Sequence, residues 1–197
     1  MKIYFVRHGK TEWNLERRLQ GQKGDSALLP ESYQAIERVR QYLAPISFDK
    51  VLSSPQQRAL TTAKLITEST VSADSRLSEW NFGELEGWLI KDAIAKYPKE
   101  MHDSRFELDK FDGSVFGAES VKSVLSRFDA LARDLLTDDL ENVLLVGHGA
   151  SGTAGIRHLA GFDVAELRTA GGLANNTLTV LESGTRHFEM KIWDKVL

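Results

Sequence analysis

The sequence predicts an α/β fold in three layers, a mostly parallel sheet with helices on both faces. Three observations carry that expectation. Short apolar runs of strand character alternate along the chain with segments whose apolar residues recur at helical spacing, the pattern of a parallel sheet crossed over by helices. Two of the runs, KIYFVR (2–7) and NVLLVG (142–147), are apolar almost throughout, as strands covered on both faces are. With 197 residues, 42% of them hydrophobic, the chain is long enough to bury a sizeable core as one domain over residues 1–197.

KIYFVR opens the chain as a buried strand and gives way to a polar loop. Tyr33, Ile36, Val39 and Leu43 then recur at helical spacing, with Pro30 suited to a first helical turn, where a missing N–H costs nothing. KVLSS (50–54) reads as a second short strand, and Pro55 opens the helical stretch QQRALTTAKLITES (56–69). VSAD (71–74) is a third short β segment. Residues 80–118 break the rhythm: they are rich in glycine and aromatics (Trp80, Phe82, Trp88, Tyr97, Phe106, Phe111, Phe116) with weak periodicity. They read as an aromatic-rich insertion over the carboxyl edge of the sheet. A long amphipathic helix follows, its apolar stripe made by Val121, Val124, Leu125, Phe128, Leu131 and Leu135. NVLLVG is a buried strand, SGTAGIRHLAG (151–161) a helix, and TLTVLE (177–182) and HFEMKIW (187–193) are the final strands.

The charge balance is near even, 25 basic against 28 acidic residues for a net −3, and both signs are spread along the chain. A nucleic-acid or anionic-membrane binder would want a basic stripe, so neither partner is expected. Arg17, Arg18 and Lys23 form the one local basic cluster near the N-terminus, suited equally to a solvated loop or to attracting an anion. The absence of cysteine excludes a disulfide scaffold and any thiolate nucleophile. The N-terminal apolar run is too short for a signal peptide, and no stretch approaches the roughly 20 apolar residues that span a bilayer. The expectation is a cytoplasmic protein.

In open α/β sheets ligands bind beyond the carboxyl ends of the strands. That rule puts Arg7 and His8 (end of the first strand), Arg58 (first turn after the second) and His148 (end of NVLLV) at one edge. Two guanidiniums there suit a doubly charged oxyanion, since each donates parallel hydrogen bonds to phosphate, and adjacent helix N-termini add backbone donors. Phosphoryl transfer needs such an arrangement. A neutral imidazole is a competent nucleophile at phosphorus, and neighbouring positive charge keeps it neutral. The chemistry also needs an acid for the leaving oxygen. Glu79 is the candidate, with burial expected to raise its pKa, and Glu86 is its rival.

Four separated blocks, RHGKTEWN (7–14), SSPQQRALTTA (53–63), LSEWNFGELEG (77–87) and GHGASG (147–152), carry a resemblance that covers most of the chain. In this order and spacing the chain resembles the histidine phosphatase superfamily, also called the phosphoglycerate mutase-like family. Carried over position by position, the resemblance implies that His8 takes the phosphoryl group. Arg7, Arg58 and His148 would hold its oxygens, and Glu79 would be the acid/base. Asn14, Gln20 (in RLQG) and Gly149 would border the phosphate as substrate-binding positions. It implies no metal and no cofactor. Lys10 departs from the family pattern, adding positive charge beside the pocket, and Leu29 and Ser32 replace the usual Thr and Gly at the next helix start, which implies an altered helix entry.

Rival readings fare worse. GHGASG satisfies the dinucleotide fingerprint, but the next strand ends at Glu182, about 30 residues on, where the ribose-binding acid belongs at about 20. Asp163 and Glu166 precede that strand, and His148 fills a turn where backbone must approach pyrophosphate. A zinc site from His8, His148 and Glu79 conflicts with two arginines aimed at the same point. A non-catalytic phosphate-binding module would be marked by the loss of an essential residue, and none is missing. The remaining histidines, His102, His158 and His187, read as surface or structural; Trp80, Phe82 and Trp88 read as core. The expected activity is phosphomonoester hydrolysis of a small phosphorylated substrate, with Glu79 suited to the poor leaving groups of alkyl esters. Mutase-type transfer is the alternative, disfavoured because the chain is short for enclosing a bisphosphorylated intermediate.

Overall fold

A computed structural model describes all 197 residues. Strands β1 (Lys2–Arg7), β2 (Lys50–Ser53), β3 (Ser72–Ala73), β4 (Asn142–Gly147), β5 (Leu178–Ser183) and β6 (Phe188–Lys195) form one sheet in the order β3-β2-β4-β1-β5-β6. β1 through β4 pair in parallel, whereas β5 runs antiparallel to β1 and β6 antiparallel to β5. The expected mostly parallel sheet is thus present with an antiparallel hairpin appended at one side. The helices are α1 (Glu12–Leu15), α2 (Pro30–Leu43), α3 (Gln57–Ile66), α4 (Ile90–Lys96), α5 (Pro98–Phe106), α6 (Val121–Thr137) and α7 (Ala150–Leu159).

Alternate residues of the central strands feed two cores, as the two-residue period of a strand requires. Val6, Leu144, Val146 and Val180 point to one face, where Ile36, Val39 and Leu43 of α2 and Ala59, Ala63 and Ile66 of α3 cover them. Ile3, Phe5, Val143 and Leu145 point to the other, under Val124, Phe128 and Leu131 of α6 and Ala154 and Ile156 of α7. Gly155 lets α7 lie against α6: a Cβ there would come 2.3 Å from the Phe128 ring.

Two local expectations change. Tyr33 is 49% exposed, because the inward stripe of α2 is Ser32, Ile36, Val39 and Leu43. Ser32 donates its hydroxyl to the Lys10 carbonyl at 2.7 Å, which ties the helix start to the loop after β1. Pro55 lies in the bend before α3, which begins at Gln57 and ends at Ile66, short of the predicted stretch. Residues 80–118 hold two helices that weak periodicity did not disclose, α4 and α5, divided where Tyr97 precedes Pro98 and is kept out of the helical region. This segment has a small core of its own, Leu85, Ala93, Met101 and Phe116.

Candidate active site

The registers Arg7↔Gly147 and Ser53↔Val146 bring the carboxyl ends of β1, β4 and β2 level, so the residues just beyond them share one edge. His8 and His148 face each other there, ring centroids 5.1 Å apart at 60°, both buried. The Nδ1 of His8 lies 2.7 Å from the carbonyl oxygen of Gly9. A carbonyl only accepts, so Nδ1 carries the hydrogen and the lone pair of the neutral ring sits on Nε2. His148 is fixed from the other side. Its Nε2 is 2.9 Å from Gln56 Oε1, again an acceptor, and 2.6 Å from Ser54 Oγ, leaving Nδ1 buried without a partner.

Burial comes first among the causes that hold both imidazoles well below the ordinary histidine pKa. For His8, the charges of Arg58 and Arg7 add to it, as does repulsion from His148 should both rings be protonated; for His148, the charges of Arg58 and Arg7 add to it. Both rings are therefore neutral near pH 7. Arg7 donates Nη1 to the Leu173 carbonyl, and its guanidinium lies against Gly149, where a Cβ would meet Cζ at 2.8 Å. Gly149 thus earns its place by the room it leaves for Arg7. Arg58 is 2% exposed. Its Nη atoms donate to the carbonyls of Gln20, Gly21 and Gly24, and it pairs with Asp25 at 3.2 Å. The Nε of each arginine is buried and unpartnered. Two unsatisfied cationic donors at this edge form a setting for a bound oxyanion, while the unpartnered Nδ1 of His148, with the hydrogen on Nε2, carries a lone pair.

Glu79 reaches the start of α7. Its Oε1 accepts from the Trp80 and Ser151 N–H at 2.8 and 2.7 Å, its Oε2 from Ala150 at 2.9 Å. Here the expected raised pKa is overturned. Burial does push it up, but the three backbone donors and the Arg58 charge prevail and hold the carboxyl below its ordinary value. Glu86, the rival acid, is a loop clamp: its oxygens accept from the N–H groups of Gln22, Lys23, Gly24 and Phe82.

Arg7, His8, Asn14, Gln20, Glu79 and Gly149 all border one cavity of about 370 Å³; Arg58 and His148 lie behind it. Asn14 accepts through Oδ1 from Thr11 N and Asn175 Nδ2, and Gln20 bonds Thr11 and Ser26, so these two amides shape the wall. Lys10 is not part of that wall: its Nζ lies 3.9 Å from Glu31 on the surface. Asn175, which donates to the His8 carbonyl, and the cavity residues Arg18, Arg105 and Arg168 were missed by the sequence reading. Only Arg18 had a signal, as part of the basic cluster. Of the aromatics, Trp80 is buried in the core, its indole N–H donating to Glu119 O at 2.7 Å, and also borders the cavity, as do Phe82, Phe111 and Phe116. Trp88 is not in the wall; Lys96 lies over its ring at 5.0 Å.

Comparison with known proteins gives the family and the fold. The family description "Histidine phosphatase superfamily (branch 1)" matches residues 3–195, and the chain belongs to that superfamily. It is an enzyme fold of phosphatases and phosphoglycerate mutase-like proteins. A relative from Salmonella paratyphi A, described as probable phosphoglycerate mutase GpmB, is 34% identical over 155 residues, 76% of this chain and 70% of its own. The structure of mycobacterial glucosyl-3-phosphoglycerate phosphatase with VO3 is 26% identical, with a TM-score of 0.88 over 98% of each chain. Bacillus stearothermophilus YhfR shares the fold, with a TM-score of 0.87 at 24% identity over 100% of this chain and 98% of its own.

Proposed function

We propose that this protein is a phosphomonoesterase that works through a phosphohistidine on His8, without a metal ion. The observation that carries this is the tautomer of His8: Nδ1–H is engaged by the Gly9 carbonyl, which leaves a neutral Nε2 lone pair among unpartnered arginine donors. Nε2 attacks phosphorus, the bond to the leaving oxygen breaks, and Arg7 and Arg58 balance the charge on the equatorial oxygens; His148 joins them by taking up a proton at Nδ1 as the dianion arrives, which turns that nitrogen into a donor. Glu79 enters as a carboxylate. An arriving phosphoryl dianion places like charge beside it and raises its proton affinity, so it takes up a proton on binding and passes it to the leaving oxygen. The restored carboxylate then accepts a proton from water as that water attacks phosphorus, the P–N bond breaks, and His8 regains its lone pair.

Hydrolysis is favoured over mutase-type transfer by the cavity wall. Phe82, Leu108, Phe111 and Phe116 line it, and a bisphosphorylated glycerate has no carbon skeleton able to cover so much apolar surface. The Salmonella relative's description as a probable mutase is what supports the other reading. A metal ligand set of His8, His148 and Glu79 is poorly supported, because the charges of Arg58 and Arg7 act on both histidines and would repel a cation placed between them.

The test is phosphate release from a panel of phosphomonoesters in excess EDTA, for wild type and His8→Ala in parallel. Release by wild type alone is expected, with the circular dichroism of the variant unchanged. Equal release by the variant, or wild-type activity abolished by the chelator, overturns the mechanism. Phosphoryl exchange between two hydroxyls of phosphoglycerate, dependent on a bisphosphorylated primer, would mark a mutase.

A further inference from the structure

The cavity beside His8 carries cationic groups that phosphoryl transfer does not use. Arg105, in the last turn of α5, and Arg168, in the connection between α7 and β5, both border it and both are half-buried. Arg168 donates Nη1 to the carbonyl of Ser104, the residue before Arg105, at 2.6 Å, which fixes one guanidinium beside the other's helix turn. Neither has a carboxylate within 4.0 Å, and Arg105 makes no side-chain hydrogen bond. Arg18 pairs with Glu16, Arg58 with Asp25 and Arg127 with Glu119, whereas Arg7, beside His8, donates to the Leu173 carbonyl and has no carboxylate partner.

Two like charges held near each other in a partly desolvated wall are unfavourable unless an anion joins them. Burial, then the positive charges of Arg105 and Arg7, bring the Arg168 pKa down to about 10 against the opposing pull of Glu79, as expected of a cation short of counter-charge. The surrounding wall is apolar, built by Phe82, Met101, Leu108, Phe111 and Phe116. The site therefore offers a cationic point for phosphoryl oxygens, an apolar wall, and a separate pair of arginines.

We propose that Arg105 and Arg168 form a second oxyanion subsite, so that the preferred substrates are phosphomonoesters whose leaving group joins an apolar body to a second anionic group. This rests on the phosphatase reading above and adds the substrate class to it. Bidentate guanidinium recognition suits either a carboxylate or a second phosphate-like group.

The experiment compares kcat/KM for four aryl phosphates of one skeleton, whose para substituent ends in methyl, carboxamide, carboxylate or phosphonate. Wild type is expected to favour an anionic substituent over carboxamide by about tenfold or more, the scale of one charge-assisted contact. The anion that gains names the chemistry. In Arg168→Gln and Arg105→Gln the ratio should fall towards one, with Arg168→Lys restoring part of it. A ratio taken within one variant does not depend on how much of that variant folds. A wild-type ratio near one, or a ratio unmoved in both Gln variants, overturns the subsite. Failure to hydrolyse any of the four compounds would instead strike the phosphatase reading.

Discussion

At the scale of single residues, what matters most is how the environment sets the state of His8. The proposed mechanism needs a neutral imidazole, and burial together with Arg58 and Arg7 keeps His8 neutral well below the ordinary histidine value. Activity of the free enzyme should therefore persist as pH falls through about 6.5. Arg58→Met removes one of the cations that depress His8, so the His8 pKa rises and the acid limb of kcat/KM moves to higher pH. The rate itself should drop by roughly 10²–10³, as when one preorganised donor is lost. A limb that stays in place would show that Arg58 does not act on the nucleophile. These residues were legible in the sequence because strand ends fix where side chains go: Arg7, His8 and His148 follow apolar runs directly. Arg168 was not legible, since an arginine in an irregular connection shows no periodicity and acquires meaning only through Ser104 and the cavity.

At the scale of elements, Glu79 couples the site to the fold. The residue before α7, Gly149, has no side chain to cap that helix; Glu79 supplies the missing acceptor to the N–H groups of Ala150 and Ser151 from 71 and 72 positions upstream. Glu79→Ala should cost about 1–2 kcal/mol, the usual loss for an N-cap acceptor, read as a lower urea midpoint. Glu84→Ala, at an exposed position of the same segment, should change stability by less than about 0.5 kcal/mol. Equal stability of Glu79→Ala and wild type would contradict the capping role. The sequence signalled the raised pKa because burial alone was visible there; the donors that reverse it belong to a helix start far along the chain. The same distance effect separates the easy elements from the hard ones. α6 has a long, unbroken stripe from Val124 to Leu135, whereas α4 and α5 are short, meet at Tyr97–Pro98, and bury only a residue or two each on a small local core.

For the whole molecule, two neutral buried histidines link stability to pH. In the unfolded chain His8 and His148 titrate near 6.5, but in the fold their pKa values are depressed. Below about pH 6.5 the unfolded state thus binds protons that the native state refuses, and stability falls as pH drops towards the folded values. Above that pH their contribution is complete. Urea unfolding of wild type should weaken from about pH 7 to about pH 5.5, and the slope should be shallower in His8→Asn, which removes one of the two linked groups. Parallel slopes would contradict the depressed pKa of His8. The sheet that holds the two rings side by side was predictable as a class from alternating strands and helices; the antiparallel direction of β5 and β6 shows only in the short link from Ser183 to Phe188, too short for a parallel crossover, because neither strand carries a mark of its own direction.

The most direct single measurement is a rapid-quench reaction of the enzyme with phenyl phosphate, followed by peptide mapping of any phosphoryl group left on the protein. A phosphoryl group stable to alkali, labile to acid and located on the peptide that carries His8 is the expected result. Turnover without any phosphoenzyme, or a phosphoryl group on His148, would contradict the proposed nucleophile.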